Sequence, residues 1–203
     1  MMRILFVGDG ERDAVTIPPI VHRILKTSIE SSCNSWARLH GSGKGYKSKL
    51  LYALAKARSG GMSGLVATID RDTADKGERL KRLKAARKTD RSKRAPLPTA
   101  LGEADPHCEA WLLDDESAVR DALALAPVTP VPTVGRTSNP KDELDLLIAS
   151  SPVADQGRLT LLGRIAEKVD PNRCLNAKTT GFRAFVKDIK DEFRASGGGR
   201  DDE

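Results

Sequence analysis

The chain has 203 residues, 39% hydrophobic and only 4% aromatic, so one compact domain is expected, with a core of Leu, Ile, Val and Ala. It contains no run of 18 apolar residues, which excludes a membrane-spanning helix. The short apolar start at Met1–Val7 lacks the length and cleavage site of a signal peptide, so a cytoplasmic protein is expected. The net charge of +6 is concentrated: Lys76–Arg94 holds ten Lys or Arg against Glu78 and Asp90, a net +8 that leaves −2 for the rest of the chain.

Such a stripe reads either as the footprint of a polyanion binder or as a solvated helix face. The three cysteines, Cys33, Cys108 and Cys174, are widely spaced and form no CxxC pair. Neither a disulfide framework nor a cysteine zinc site is expected.

In chain order, Arg3–Gly8 is an apolar run ending in glycine and reads as a buried strand. Glu11–Lys26 carries apolar residues at near-helical spacing. Pro18 and Pro19 place the start of its regular helix close to themselves, because proline suits a first turn and not a helix interior. Ser35–His40 reads as a second strand, Gly41–Gly45 as a loop, and Tyr46–Arg58 as an amphipathic helix ended by Gly60-Gly61.

Gly64–Ile69 reads as the next strand, and a basic helix follows over about Ala74–Lys88. Ala95–Gly102 reads as a fourth strand that Pro96 and Pro98 assign to a sheet edge or an irregular start. Glu109–Leu113, Glu116–Leu125, Pro140–Ser150, Gly157–Lys168 and Thr180–Arg194 read as helices. The domain plan expected is an α/β core over 1–125, a Pro/Thr-rich loop over 126–139, a helical C-terminal part packed on the core over 140–195, and a disordered tail over 196–203.

Alternating strands and helices imply right-handed βαβ units and a mostly parallel, Rossmann-like sheet flanked by helices. Functional groups gather at the carboxyl ends of such strands. Asp9 and Asp70 fall there. Asp70-Arg71-Asp72 sets two carboxylates two residues apart where a strand ends, and Asp13 stands one helical turn beyond Asp9. Converging carboxylates repel unless a cation or proton joins them, and Mg²⁺ suits one or two carboxylates with its remaining waters. Asp72 before Thr73-Ala74 also suits a helix N-cap.

This order resembles Toprim domains, found in topoisomerases, primases and the overcoming-lysogenization-defect (OLD) nucleases. In these an apolar strand leads to an acidic residue, a glycine, and a second acidic residue one turn on, with a DxD at the end of a later strand. The first acidic residue is usually Glu; here it is Asp9, one methylene shorter, with Glu11 near enough to substitute. The OLD nucleases add a third acidic motif, to which Glu103–Leu113 is similar. Glu109 would be its ligand, with Glu103 as the alternative, and Lys178 would match the distal lysine. Glu109-Ala110-Trp111-Leu112-Leu113, the Gly41–Lys44 loop, and Asn176-Ala177-Lys178 before Phe182 and Phe185 also resemble a group of small stand-alone Toprim-like proteins.

What the resemblance implies is a Toprim-like core, Mg²⁺ or Mn²⁺ at Asp9, Asp13, Asp70, Asp72 and Glu109, and catalysis involving Asp9, Asp13 and Lys178. It implies nuclease activity on nucleic acid, with DNA as the substrate and defence against foreign DNA as the setting. It admits a partner protein encoded nearby, such as an ATPase. The rival reading is a non-catalytic nucleic-acid- or partner-binding module with a decayed site.

Nucleic-acid phosphates would be gripped by Lys44, Lys47, Lys81, Arg82, Lys84 and Arg87. Gly41–Ser48 misses the phosphate-loop pattern, because Tyr46 occupies the place of the last glycine. His22 reads as structural, while His40 and His107 stand near strand ends. Trp36 and Trp111 read as core, and two Tyr with four Phe do not favour single-strand stacking platforms.

Overall fold

The computed structural model of the protein describes residues 1–39, 45–71, 77–136 and 139–194. Its frame is an all-parallel sheet of β1 (Met2–Gly8), β2 (Ile29–Ser35), β3 (Gly64–Asp70) and β4 (Thr99–Ala104), in the order β2-β1-β3-β4. The helices are α1 (Glu11–Leu25), α2 (Tyr46–Ser59), α3 (Glu78–Arg91), α4 (Glu109–Leu113), α5 (Glu116–Ala122), α6 (Pro140–Ala149), α7 (Arg158–Lys168) and α8 (Phe182–Arg194). The fold is α/β, as expected. None of the described helices is long and apolar enough to cross a membrane.

Side chains alternate across the pleat and divide the core in two. Leu5, Val7, Leu65, Ala67 and Ile69 face α2 and α3. Ile4, Phe6, Val66, Ala100 and Ala104 face a larger cluster built from α1 and α4 to α8. The C-terminal helices therefore share the core of the sheet. Phe185 lies so close to Gly102 that a Cβ there would meet its ring at 2.6 Å, and a Cβ on Gly64 would meet Phe193 at 2.3 Å. Trp111 stacks on Phe182 and Phe185 at 5.2 and 4.9 Å and donates its indole N–H to the Thr180 carbonyl. Trp36 donates to the Thr68 carbonyl, so both tryptophans are core residues.

Three expectations are corrected. The second strand is Ile29–Ser35, not Ser35–His40. It is an edge strand and largely exposed, so it lacks the apolar run that marks an interior strand, and the buried Trp36 belongs to the turn after it.

Next, α1 starts at Glu11 and carries Pro18 and Pro19 inside it. Proline leaves the carbonyl four residues earlier without its N–H. Here the Ala14 carbonyl accepts the Cys33 thiol at 3.7 Å, and the Val15 carbonyl faces Gly163 of α7, where even a Cβ would fit at 3.5 Å. Finally, β4 begins at Thr99, after both prolines, and does lie at the sheet edge.

Candidate functional site

The path from β1 to β2 runs one way across the sheet, and the path from β2 through β3 to β4 runs back. This reversal opens a crevice at the carboxyl ends of β1 and β3, where α/β sheets take their ligands. Asp9 follows β1, and Asp70 is the last residue of β3. The main-chain N–H of Asp70 donates to Asp9 Oδ2 at 2.9 Å, joining the two strand ends.

Asp13, in the first turn of α1, reaches back so that its Oδ2 accepts the Asp9 N–H at 2.5 Å. Gly8 permits this, because a Cβ there would stand 2.5 Å from the Cβ and Oδ2 of Asp13. The turn from β4 into α4 closes the group. Asp70 Oδ1 accepts the Cys108 N–H at 3.2 Å, and Asp70 Oδ2 lies 3.1 Å from His107 Nδ1.

Asp9, Asp13 and Asp70 are thus brought together as expected. Asp13 is only 8% exposed. Burial, and then the negative charges of Asp70 and Asp9, push its carboxyl up to about 7 against the pull of the Asp9 N–H. Asp70 is also raised, by burial first and by Asp9 next, with His107 opposing. Asp9 is raised by burial of its carboxyl, against the Asp70 N–H and the charges of Arg79 and His107. The buried Cys108 thiol is pushed far up by burial and by the carboxylates of Asp13, Asp70 and Glu109.

Glu109 is buried beside this group but engaged. Arg12 binds it at 2.7 Å and Asp145 of α6 at 2.5 Å. Its negative charge still contributes to raising Asp70. Glu103, the alternative, lies within β4.

Asp72, Lys44 and His40 lie outside the described residues. Among the described residues, no three His, Cys, Asp or Glu side chains form a group that could hold a metal ion as they stand. Lys178 is exposed in the turn before α8 and makes no hydrogen bond or ion pair with a described residue. That turn is tied to the same sheet edge through the Asp105 N–H, which donates to the Thr180 carbonyl at 3.0 Å.

Of the basic residues expected to grip phosphate, Lys47, Lys81, Arg82 and Lys84 are exposed on α2 and α3, and Lys81 pairs with Glu78 at 3.2 Å. Arg87 is only 13% exposed and turns inward. Its guanidinium binds Asp188 at 2.5 Å, Glu192 at 3.4 Å and the Thr99 carbonyl at 3.0 Å, so it ties α3 to α8 and β4 instead of facing a polyanion. His22, expected to be structural, is exposed on α1.

Sequence reasoning left out Arg12 and Arg79. Arg12 sits between Asp9 and Asp13, and the apolar spacing of α1 gave no sign that its partners would come from α4 and α6. Arg79 was one of ten charges in a stripe; in the structure it stands 5.5 Å from the Tyr46 ring centre and adds positive potential at Asp9. No protein-family model, curated protein or solved structure matches this chain.

Proposed function

We propose that the protein is a divalent-metal-dependent nuclease of the Toprim and OLD type, acting on DNA in defence against foreign nucleic acid. One observation supports the reading above others: Asp9, Asp13 and Asp70 are gathered at the carboxyl ends of β1 and β3, where burial raises all three and neighbouring carboxylates raise Asp13 and Asp70 further. Carboxylates so placed call for a cation or a proton. Their hard oxygen donors fit Mg²⁺ or Mn²⁺, which bind through one or two carboxylates and keep their own waters, so a complete protein cage is not needed.

Asp9, Asp13 and Asp70 are the residues from which the one or two carboxylates that would hold the ion are drawn, with Asp72 as the further candidate. The bound ion would polarise a phosphodiester and generate the attacking hydroxide. The chain supplies the rest. Arg12 pairs with Glu109 and offsets part of its charge, so that less negative charge bears on Asp70. His107 stands against Asp70 and holds its orientation. Lys47 and Arg82, at the crevice end of α2 and on α3, offer charge to a strand's phosphates, and Lys178 offers a point cation at the same edge.

The test is a panel of labelled DNA and RNA with Mg²⁺, Mn²⁺ or EDTA, read together with melting temperature. Metal should raise Tm and switch on cleavage in the native protein, and both effects should vanish in Asp70→Asn. Cleavage that survives EDTA, or an Asp70→Asn protein that still responds to metal, would overturn the reading.

A second reading, a non-catalytic nucleic-acid-binding module, draws on the way each carboxylate already accepts a main-chain N–H. It expects salt-sensitive nucleic-acid binding with no metal-induced shift in Tm.

A further inference from the structure

The far end of α1 frames a different cleft. The helix begins at the carboxylate edge and runs for 15 residues. At about 1.5 Å each, this carries its last turn roughly 22 Å away, to the opposite edge of the sheet. There a cleft of about 980 Å³ opens between the end of α1, the turn after α7 and the C-terminal half of α8.

Its cations come from two facing rows. Arg23 of the last turn of α1 and Lys26, which caps that helix, line one side, and Lys190 and Arg194 are one turn apart on α8. Among the described residues of the lining, only Glu167 and Asp170 oppose them. Arg23 donates to the main-chain carbonyl of Glu167 at 3.3 Å and not to its carboxylate. Asp170 accepts the Asn172 N–H. The side chains of Lys26, Lys190 and Arg194 make no hydrogen bond or ion pair with a described residue.

Elsewhere on α8 the pattern is different. Asp188 and Glu192 bind Arg87, and Lys187 binds Asp191. The acids of α8 are therefore engaged away from this cleft. Helix dipoles favour basic residues at both C-termini, but on any side of each helix. They do not explain two rows facing one hollow. Pro19 and Val186 give the same hollow an apolar wall.

We infer that this cleft is a second ligand site, for a phosphate ester of nucleotide size. Lys26, Lys190, Arg194 and Arg23 take the phosphate charge, and the wall at Pro19 and Val186 takes the flat or apolar part of the ligand. The volume lies near the top of the range for small-molecule sites, roughly 300–1,000 Å³. The inference does not depend on the nuclease reading.

Calorimetric titration of the full chain in EDTA, at fixed ionic strength, tests it with ADP, inorganic phosphate and a short oligonucleotide as separate probes. ADP should bind saturably, at least tenfold more weakly in the Lys190→Gln/Arg194→Gln double variant, and unchanged in Asp70→Asn. The charge-keeping Lys190→Arg/Arg194→Lys variant should stay within threefold of the native protein. If the oligonucleotide shows this pattern and ADP does not bind, the site stands and its phosphate comes from a nucleic-acid backbone. The inference is overturned if no probe saturates, or if the Gln variant binds within twofold of the native protein.

Discussion

Asp13 is a carboxylic acid held where a carboxylate is unwelcome, and its ionisation has a readable cost. Its folded pKa of about 7 stands well above its ordinary 3.8. A group raised in this way stabilises the fold fully below its unfolded pKa and loses that contribution as pH rises through the folded value. Metal-free protein should therefore lose stability between about pH 4 and 7, by up to roughly 4 kcal/mol at 1.36 kcal/mol per unit. Asp13→Asn should flatten that part of the curve and be more stable than native protein at pH 8. Urea unfolding in EDTA across pH checks this, and an unchanged slope would remove Asp13 as its source. At this scale the sequence showed Asp9, Asp13 and Asp70 well, because each sits at a fixed offset from a strand end. It could not show that Glu109 would be bound by Arg12, since that pairing depends on three elements meeting.

Among the elements, α8 is the one whose packing the sequence understated. Its apolar spacing marked a helix, and it was expected to pack on the core, but not to lie against the glycines of β3 and β4. Gly102 leaves room for Phe185, and Gly64 for Phe193. Gly102→Ala should destabilise the protein by about 1–3 kcal/mol through overpacking. Phe185→Leu should recover part of that loss in the double variant, giving a favourable coupling in a double-mutant cycle. Additive effects would show that the two residues do not share the space. The edge strand β2 was misread for the opposite reason: its residues are exposed and polar, and hydrophobic periodicity is silent about a strand that buries so little.

Across the whole molecule, charge is laid out by side. Lys47, Lys81, Arg82 and Lys84 are exposed on the helices of one face, while Arg87 is consumed in holding that face to α8. If nucleic acid tracks along α2 and α3, log affinity should fall linearly with log salt. Changing Lys81, Arg82 and Lys84 to Gln should reduce that slope by about 2–3, at roughly 0.9 for each phosphate no longer neutralised. Arg87→Gln should instead lower Tm with little change in slope. A slope unaffected by the triple change would leave the stripe as a solvated face. The parallel βαβ frame was legible because its interior strands are continuous apolar runs. Which residues of a charged helix turn inward was not, because that depends on the acids of α8 roughly a hundred positions later in the chain.

The two borders of the sheet also differ in how they should meet heavy water. On β4 the outward N–H groups of Thr99 and Leu101 donate to Glu192 at 3.2 Å and to Asp188 at 2.7 Å, so a helix supplies the acceptors that a fifth strand would have offered. On β2 the Ser35 N–H turns to the side chain of its neighbour Asn34, and among the described residues the strand has no other side-chain acceptor. Amide deuteration should therefore be lopsided. Thr99 and Leu101 should retain their protons about as long as interior strand residues, while the outward amides of β2 exchange early. Asp188→Ala should release Leu101 to fast exchange and leave β1 unchanged, a difference that NMR can follow amide by amide.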